Sequence, residues 1–376
     1  MIKFNVPLVT GFEKSSVNRV LDKKDFAGDG SFTHKTSSKL NELVSSEMSL
    51  LTPSCTHALE LAALLCNVKK GDEVIMPSYT FVSTANAFAL RGAKIVFVDV
   101  SPETMNLDLD LVKASITSKT KVIVPVHYAG TSCDMDYLMA IANEHNLIIV
   151  EDAAQGINSF YKKSHLGSIG HLGCLSFHET KNMHCGEGGA LLVNSKEFLE
   201  RAEIIRQKGT NRNQFIKGIV DKYTWVELGS SYLMSELNAA FLYGQIEGLS
   251  EASSYRLKLW DRYQKNLFKY SEEGYFEILQ VPKYNSHNGH IFYLKLKNLS
   301  QRDNMLEFLK LNEISAVFHY IPLHTSNPGL KYGIFNGNDQ FTTSGSEQLI
   351  RLPMHNSLSV SDIDYICSKV IDFFNT

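Results

Sequence analysis

The sequence has no apolar run approaching the roughly 20 residues that a membrane-crossing helix needs. Cysteine is sparse and unpatterned. Cys55, Cys66, Cys133, Cys174, Cys185 and Cys367 contain no CxxC pair, which argues against a disulfide framework and against a zinc site. None of the 13 histidines belongs to an HExxH motif, so no metal centre is expected. An excess of one charge is missing too. The 37 basic and 40 acidic side chains leave a net charge of -3, which points to neither nucleic acid nor an acidic membrane surface as partner. No fixed-period repeat is present, which excludes a solenoid. The opening stretch Met1 to Pro7 lacks the charged start and apolar segment of a secretory signal. The expectation is a cytoplasmic protein with reduced thiols.

What is there is an alternation. Glu73-Val74-Ile75-Met76, Ile95-Val96-Phe97-Val98, Val122-Ile123-Val124-Pro125-Val126 and Leu147-Ile148-Ile149-Val150 read as short strands buried on both faces. Helix-like segments such as Ala58 to Cys66, Ser83 to Leu90 and Asp136 to Asn143 lie between them. This order predicts an α/β fold, with a mainly parallel mixed sheet between two layers of helices. Past Leu249 the pattern changes to a long polar helix (251–270), a half-exposed strand (291–296), a helix (305–311), a strand (316–320) and a closing helix (361–374). A chain of 376 residues suits two packed domains. The expected division is a large domain over 1–248, carrying an N-terminal arm, and a smaller α+β domain over 249–376.

The chemistry begins at Asp152. An apolar strand that ends in an acid places the carboxylate at the carboxyl edge of a parallel sheet, where α/β proteins bind ligands; helix capping is the plainer role for such a residue. Lys181 follows the strand-like Leu175-Ser176-Phe177 and precedes the glycine-rich turn Gly186-Glu187-Gly188-Gly189, which lets backbone approach a flat ligand. A lysine amine attacks a carbonyl only when deprotonated, and bringing it to neutrality takes roughly 4 kcal/mol from its surroundings. A carboxylate such as Asp152 would supply the other half, holding a proton on a pyridine nitrogen so that the ring draws electrons. The pair therefore suggests pyridoxal 5'-phosphate (PLP). Thr52-Pro53-Ser54-Cys55-Thr56, just ahead of a helical stretch, offers free N–H groups and a positive dipole end to a phosphate, or ordinary capping. Ser176 is placed to donate to the same anion. Phe81, within Pro77-Ser78-Tyr79-Thr80-Phe81, is a candidate stacking ring.

These segments together resemble the DegT/DnrJ/EryC1/StrS sugar aminotransferase family. Its marks are the small-residue phosphate turn, Pro-x-x-Thr-Phe at Pro77–Phe81 and Glu-Asp-Ala-Ala at Glu151–Ala154. Ser-Phe-His-x-x-Lys ahead of Gly-Glu-Gly-Gly, at Ser176–Gly189, completes them. The resemblance implies the PLP-dependent transferase fold of type I, like aspartate aminotransferase. It implies Lys181 as the lysine that holds PLP as a Schiff base and carries the proton, and Asp152 as the partner of the ring nitrogen. Gln155 would neighbour the ring hydroxyl, Cys55, Thr56 and Ser176 would contact the phosphate, and Phe81 would stack. It further implies a nucleotide-linked keto sugar and L-glutamate as substrates, and a homodimer with shared active sites.

One stretch departs from the family. Many members carry Gly-x-Asn-x-Arg-Met before a helix, and that Asn reaches the partner's phosphate; here Ser231 and Leu233 stand at the Asn and Arg positions. A serine donates over a shorter reach, and Leu233 cannot supply the contact. Asn211, Arg212 and Lys222 suit the oxygens of a nucleotide diphosphate, and are equally ordinary as surface groups. The loop Gly28 to Thr33 resembles a sugar-nucleotide loop of the family, or simply caps the next helix. His319, Tyr320 and His324 are candidates for a sugar pocket, or polar residues where the domains meet. Related dehydratases replace the lysine with histidine, so Lys181 argues against that chemistry, and the intact Asp152–Lys181 pair argues against a PLP-binding regulator without catalysis.

Overall fold

The computed structural model describes residues 1–375. Its centre is an eight-stranded sheet. From one edge to the other the strands are Met48–Thr52, Gly189–Val193, Leu172–Ser176, Ile148–Asp152, Thr120–Ile123, Glu73–Pro77, Lys94–Val98 and Gly333–Phe335. Only Gly189–Val193 runs against its neighbours; every other strand points the same way. The α/β fold expected from the alternating pattern is what forms, as a mainly parallel mixed sheet.

The strands are apolar on both sides because both sides are covered. Val74 and Met76 pack with Leu61, Leu65 and Phe88 from the helices Cys55–Leu65 and Val82–Ala89. Ile75, one residue out of phase, packs with Leu138 and Ile141 from the helix Met135–His145. That inversion is the two-residue period of a strand. Further along the sheet, Leu51, Leu175 and Leu192 meet Phe32, Leu40 and Leu242 from helices near the N-terminus and the middle of the chain.

The smaller assembly is a four-stranded antiparallel sheet in the order Glu277–Ile278, Phe292–Lys295, Leu349–Leu352 and Val317–Phe318. Its core joins Phe292, Leu294, Ile350 and Leu352 to Ile363, Ile366 and Val370 of the closing helix Val360–Asn375.

Two features cross the division expected at 248/249. The helix Glu236–Glu272 is continuous, capped by Ser235, whose hydroxyl accepts from Asn238 N. Its Ala239, Ala240 and Leu242 belong to the core under the large sheet, while Leu259, Trp260 and Tyr263 belong to the core of the small one. The late strand Gly333–Phe335 completes the edge of the large sheet beside Lys94–Val98. At the other terminus Ile2 bridges to Ile314, so the N-terminal arm ties into the later half of the chain. Among the described residues, no helix is long and apolar enough to cross a membrane.

Candidate active site

Four adjacent parallel strands, Leu172–Ser176, Ile148–Asp152, Thr120–Ile123 and Glu73–Pro77, release their chains at one edge of the sheet. Ser176, Asp152, Val126 with His127, and Thr80 with Phe81 lie at or just past those carboxyl ends, and all line one cavity of about 680 Å³. Residues from the small sheet and from the N-terminal arm close it. This is the crevice that an open parallel sheet offers to a ligand.

Lys181 stands in the hairpin that joins Leu172–Ser176 to the antiparallel Gly189–Val193. Ladder bonds continue past the strands, from Phe177 N to Gly188 O at 2.8 Å and from Glu179 N to Gly186 O at 2.8 Å, and the Lys181 amide donates to His178 O at 2.9 Å. Asn182, the next residue, is locked by its contacts with Asn288 O at 3.0 Å and His290 Nδ1 at 2.8 Å. The Lys181 amine itself bonds to no group among the described residues, and it faces the cavity. Burial pulls its pKa below the ordinary lysine value; Cys55 and Asp152 push the other way, and Arg351 adds to the depression. The same burial, with Asp152 nearby, pushes the Cys55 thiol well up and keeps it neutral.

Asp152 shares the cavity and is 5% exposed. Its Oδ2 accepts from Thr84 Oγ1 at 2.7 Å and its Oδ1 from Ala154 N at 3.2 Å. Thr84 in turn contacts Thr80 Oγ1 at 2.8 Å, so the carboxylate is aimed by a fully buried hydroxyl pair. We predict that Thr84→Val, which keeps shape and drops the hydroxyl, costs about 1–2 kcal/mol, or roughly tenfold in turnover. Steady-state kinetics and a pH titration of the bound cofactor's absorbance would check this. An unchanged rate and titration would show that Ala154 N alone orients Asp152.

The remaining expected contacts divide. Cys55 and Thr56 open the helix Cys55–Leu65, and the preceding Ser54 caps it through His57 N at 3.2 Å. All three line the cavity with Ser176, and Thr56 Oγ1 meets Ser83 Oγ at 2.8 Å. Gly189 packs against this helix start so closely that a Cβ there would collide with the Cys55 amide. Gln155 lines the cavity with its amide fixed, Oε1 accepting from Ala129 N at 2.7 Å and Nε2 donating to Tyr320 Oη at 3.3 Å. Phe81 lines it with 57% of its surface exposed, its ring 6.4 Å from that of Tyr320. His319 and Tyr320 line it as well. Burial, with the charges of Arg351 and Lys181, keeps His319 neutral, and its Nδ1 contacts Tyr128 Oη at 3.0 Å.

Others are not brought together. His324 is spent on structure, with Nδ1 on Ser78 Oγ at 2.7 Å and Nε2 3.1 Å from Asp339, and it does not line the cavity. Asn211, Arg212 and Lys222 lie on an arm that does not reach the cavity of its own chain. Arg212 and Lys222 are exposed, and the Asn211 side chain accepts from Thr224 N at 2.8 Å. The loop Gly28 to Thr33 leads into the helix Ser31–Val44 without capping it itself; the cap comes from Glu236. Glu236 accepts from Phe32 N at 2.7 Å and Thr33 N at 2.8 Å, while Asp29 pairs with Arg206.

Fit to PLP can be judged from these groups alone. An amine without an internal partner, a buried carboxylate, a helix start with hydroxyls and an exposed-edge ring surround one cavity. That donor set matches an aldehyde, a pyridine nitrogen, a phosphate and a flat ring, so the residues fit the cofactor.

The comparisons with known proteins decide the matter. The model of the DegT/DnrJ/EryC1/StrS aminotransferase family matches residues 8–371. The chain belongs to that family. PLP is therefore its cofactor, and its fold is type I of the PLP-dependent transferases. An uncharacterized protein of Methanocaldococcus jannaschii is 31% identical over 375 residues, covering 95% of this chain and 94% of that protein. The aminotransferase TlmJ of Streptoalloteichus hindustanus superposes with a TM-score of 0.91 at 27% identity, covering 100% of this chain and 99% of its own. A Streptococcus pneumoniae protein solved in PMP and PLP forms reaches 0.92 in the former at 25% identity, covering 100% and 99%.

Several groups that line this aminotransferase cavity carry no role in the sequence reading, among them Thr84, His127, His290 and Arg351. Thr84 lies in the helix-like stretch Ser83 to Leu90, where nothing local marks it. For Arg351 a signal exists in the sequence, a cation inside the apolar run Leu349-Ile350-Arg351-Leu352.

Proposed function

We propose that the protein transfers the amino group of L-glutamate to C4 of dTDP-4-keto-6-deoxy-D-glucose, giving dTDP-4-amino-4,6-dideoxy-D-galactose and 2-oxoglutarate. The observation that carries amino transfer is the convergence of Lys181 and Asp152 in one cavity. PLP, when bound, supplies the electron sink and the amine acceptor. Lys181, whose proton affinity is lowered by burial, would take the proton from the donor's Cα and deliver it two atoms along, to the carbon on the far side of the amine nitrogen. Asp152 holds the ring-nitrogen proton, and the Ser54–Thr56 turn anchors the phosphate. The neutral His319 and the hydroxyl of Tyr320 face the sugar.

The choice of sugar is supported by sequence. Ile75 to Phe88, Lys208 to Arg212 and Asp221 to Trp225, together with the Ser-Ser-Tyr-Leu-Met-Ser version of the departing stretch, resemble the dTDP-4-amino-4,6-dideoxygalactose transaminase of enterobacterial common antigen synthesis. A homodimer is part of the proposal. The arm that carries Asn211, Arg212 and Lys222 exposes Ile216, Ile219 and Trp225 at 62%, 67% and 71%. Apolar exposure of this kind favours a protein contact. In that arrangement the arm and the exposed Ser231 serve the partner's cavity and bring the nucleotide contacts with them.

Incubation with L-glutamate and dTDP-4-keto-6-deoxy-D-glucose is expected to yield 2-oxoglutarate and an amino sugar with an axial C4 amine by NMR. An equatorial amine would assign the gluco epimer and overturn the galacto product. Multiple-turnover formation of 2-oxoglutarate only with another nucleotide-linked keto sugar would overturn the substrate while leaving amino transfer standing.

A further inference from the structure

An amine that must reach more than one atom can be aimed only through the chain behind it. The ladder that builds the Lys181 hairpin ends at Glu179 and Gly186. Past that point, the side chain of the residue after the lysine ties the tip to another part of the molecule. Asn182 is 4% exposed and leaves the hairpin for the segment 288–290, which leads into the small sheet. Chemistry decides which way its amide points. Asn288 O can only accept, so the NH₂ of Asn182 faces it at 3.0 Å. Oδ1 is left to His290 Nδ1 at 2.8 Å, and that nitrogen must carry the proton.

The segment 288–290 is itself a junction. Asn288 is 1% exposed and donates through Nδ2 to Gln155 O at 2.8 Å and to Ile157 O at 2.7 Å. Its Oδ1 accepts from His290 N at 3.0 Å. Arg256, on the long helix Glu236–Glu272, donates to Gly289 O at 3.2 Å and to His290 O at 3.0 Å. No slack is left, since a Cβ on Gly130 would collide with Asn288 Oδ1. The loop of Gln155, the long helix and the Lys181 hairpin are thus fixed to one another through three consecutive residues. The His290 ring also lines the cavity. Burial, with the charges of Lys181, Arg256 and Arg351, holds that ring neutral. A neutral donor can hold Asn182 without placing a charge beside the lysine.

We infer that the hydrogen bond from His290 to Asn182 positions Lys181, with His290 acting through Asn182. The inference rests on the role proposed for Lys181 and adds to it the device that aims the amine. Four methylenes separate that amine from its Cα, so a small turn of the hairpin tip is magnified at the nitrogen. A misplacement of about 1 Å at a reacting atom costs on the order of 10²-fold in rate. Without the His290 donor, Asn182 Oδ1 would be a buried acceptor with no partner, and the tip would shift to satisfy it. The rival role for His290 is direct contact with a substrate in the cavity. That role would give Asn182, which is buried and does not line the cavity, no part in the chemistry.

Four variants separate these roles. His290→Phe keeps a ring and removes the donor, Asn182→Ala removes the acceptor, a double variant removes both, and His290→Asn puts an amide NH₂ where Nδ1 stood. Two rates are read. One is the growth of lysine-bound absorbance after PLP is added to cofactor-free protein, which needs no amino donor. The other is kcat in each half-reaction. Both rates are expected to fall roughly 10- to 30-fold in His290→Phe and in Asn182→Ala. The double variant should be no more than about twofold slower than the worse single one, because both remove the same contact. His290→Asn should recover to within about threefold of wild type, and half-saturation by glutamate and by the keto sugar should stay within about threefold throughout. Melting temperature reports folding, and Asn182→Ala, made from the hairpin side, carries the test if the phenylalanine variant does not fold. Wild-type rates in the single variants would overturn the inference, and so would losses that multiply in the double variant. Weakened half-saturation with unchanged capture of PLP would place His290 on a substrate and overturn it too. Wild type that captures PLP but never responds to glutamate would overturn the amino-transfer reading, while the capture rates would still test the positioning of Lys181.

Discussion

Lys181→Ala is expected to lower turnover by at least about 10⁴-fold and to yield protein without the yellow absorbance of lysine-bound cofactor. The size follows from two roles lost together. In the proposed function Lys181, the one lysine lining the cavity among the described residues, bonds the cofactor aldehyde and is also the base for the donor's proton. Burial pulls its pKa down, so less of the binding energy goes to removing its own proton before it can act. Folding should survive, because the hairpin is held by backbone bonds from Phe177, Glu179 and Cys185, none of which uses the Lys181 side chain. The Ser54–Thr56 turn remains to grip the phosphate, so the variant should still take up cofactor without a covalent bond. Lys181→Arg sharpens the test. It keeps a cation in the cavity and supplies no nucleophilic amine, so it should be as inactive as the alanine variant. Absorbance spectra of the purified proteins and glutamate-dependent formation of 2-oxoglutarate are the measurements. Wild-type turnover in either variant would remove Lys181 from the chemistry.

Lys181 and Asp152 were legible because each depends on a short stretch of chain. A strand that is buried on both faces must end at the sheet's edge, and the residue at that end is fixed by local pattern. The same holds for Ser54 to Thr56, where a capped helix start is written in consecutive residues. Thr84 was not legible, because its partner is 68 residues away and their meeting depends on which strands become neighbours. Arg351 needs still more. Its place in the cavity requires the small sheet to form, to turn one face inward and to pack beside the large sheet. The strand Gly333–Phe335 escaped for a related reason. Three residues carry no measurable period, and only the exposed edge of Lys94–Val98 gives them a partner. The continuous helix Glu236–Glu272 spans the expected division at 248/249. Its buried stripe serves two cores in succession, and composition shifts only where the second core begins, well after the helix has started. His324 shows the opposite failure, a chemically apt side chain in an apt segment that the fold uses as a brace.

Asp152→Asn is expected to lower turnover by roughly 10²- to 10³-fold while leaving the protein folded and loaded with cofactor. The hydrogen bonds show why the damage should be confined to rate. Oδ1 accepts from the backbone amide of Ala154, which can only donate, so the oxygen of an asparagine must take that position. The new NH₂ then falls where Oδ2 met Thr84, and a hydroxyl can turn to accept from it while donating to Thr80. The site adapts at small cost to stability. The ring nitrogen cannot adapt, because it would now face a donor in place of a carboxylate. Without the negative charge, the substituted amide cannot hold a proton there, and the ring loses the pull that stabilises charge leaving the donor's Cα. The loss should therefore appear in kcat for both half-reactions, with glutamate saturation little changed. Asp152→Glu offers the complementary test. It restores the charge and displaces it by one methylene, so activity should recover in part and the pH dependence of the absorbance should return toward that of wild type. A near-normal rate in Asp152→Asn would show that some other group in the cavity keeps the nitrogen protonated.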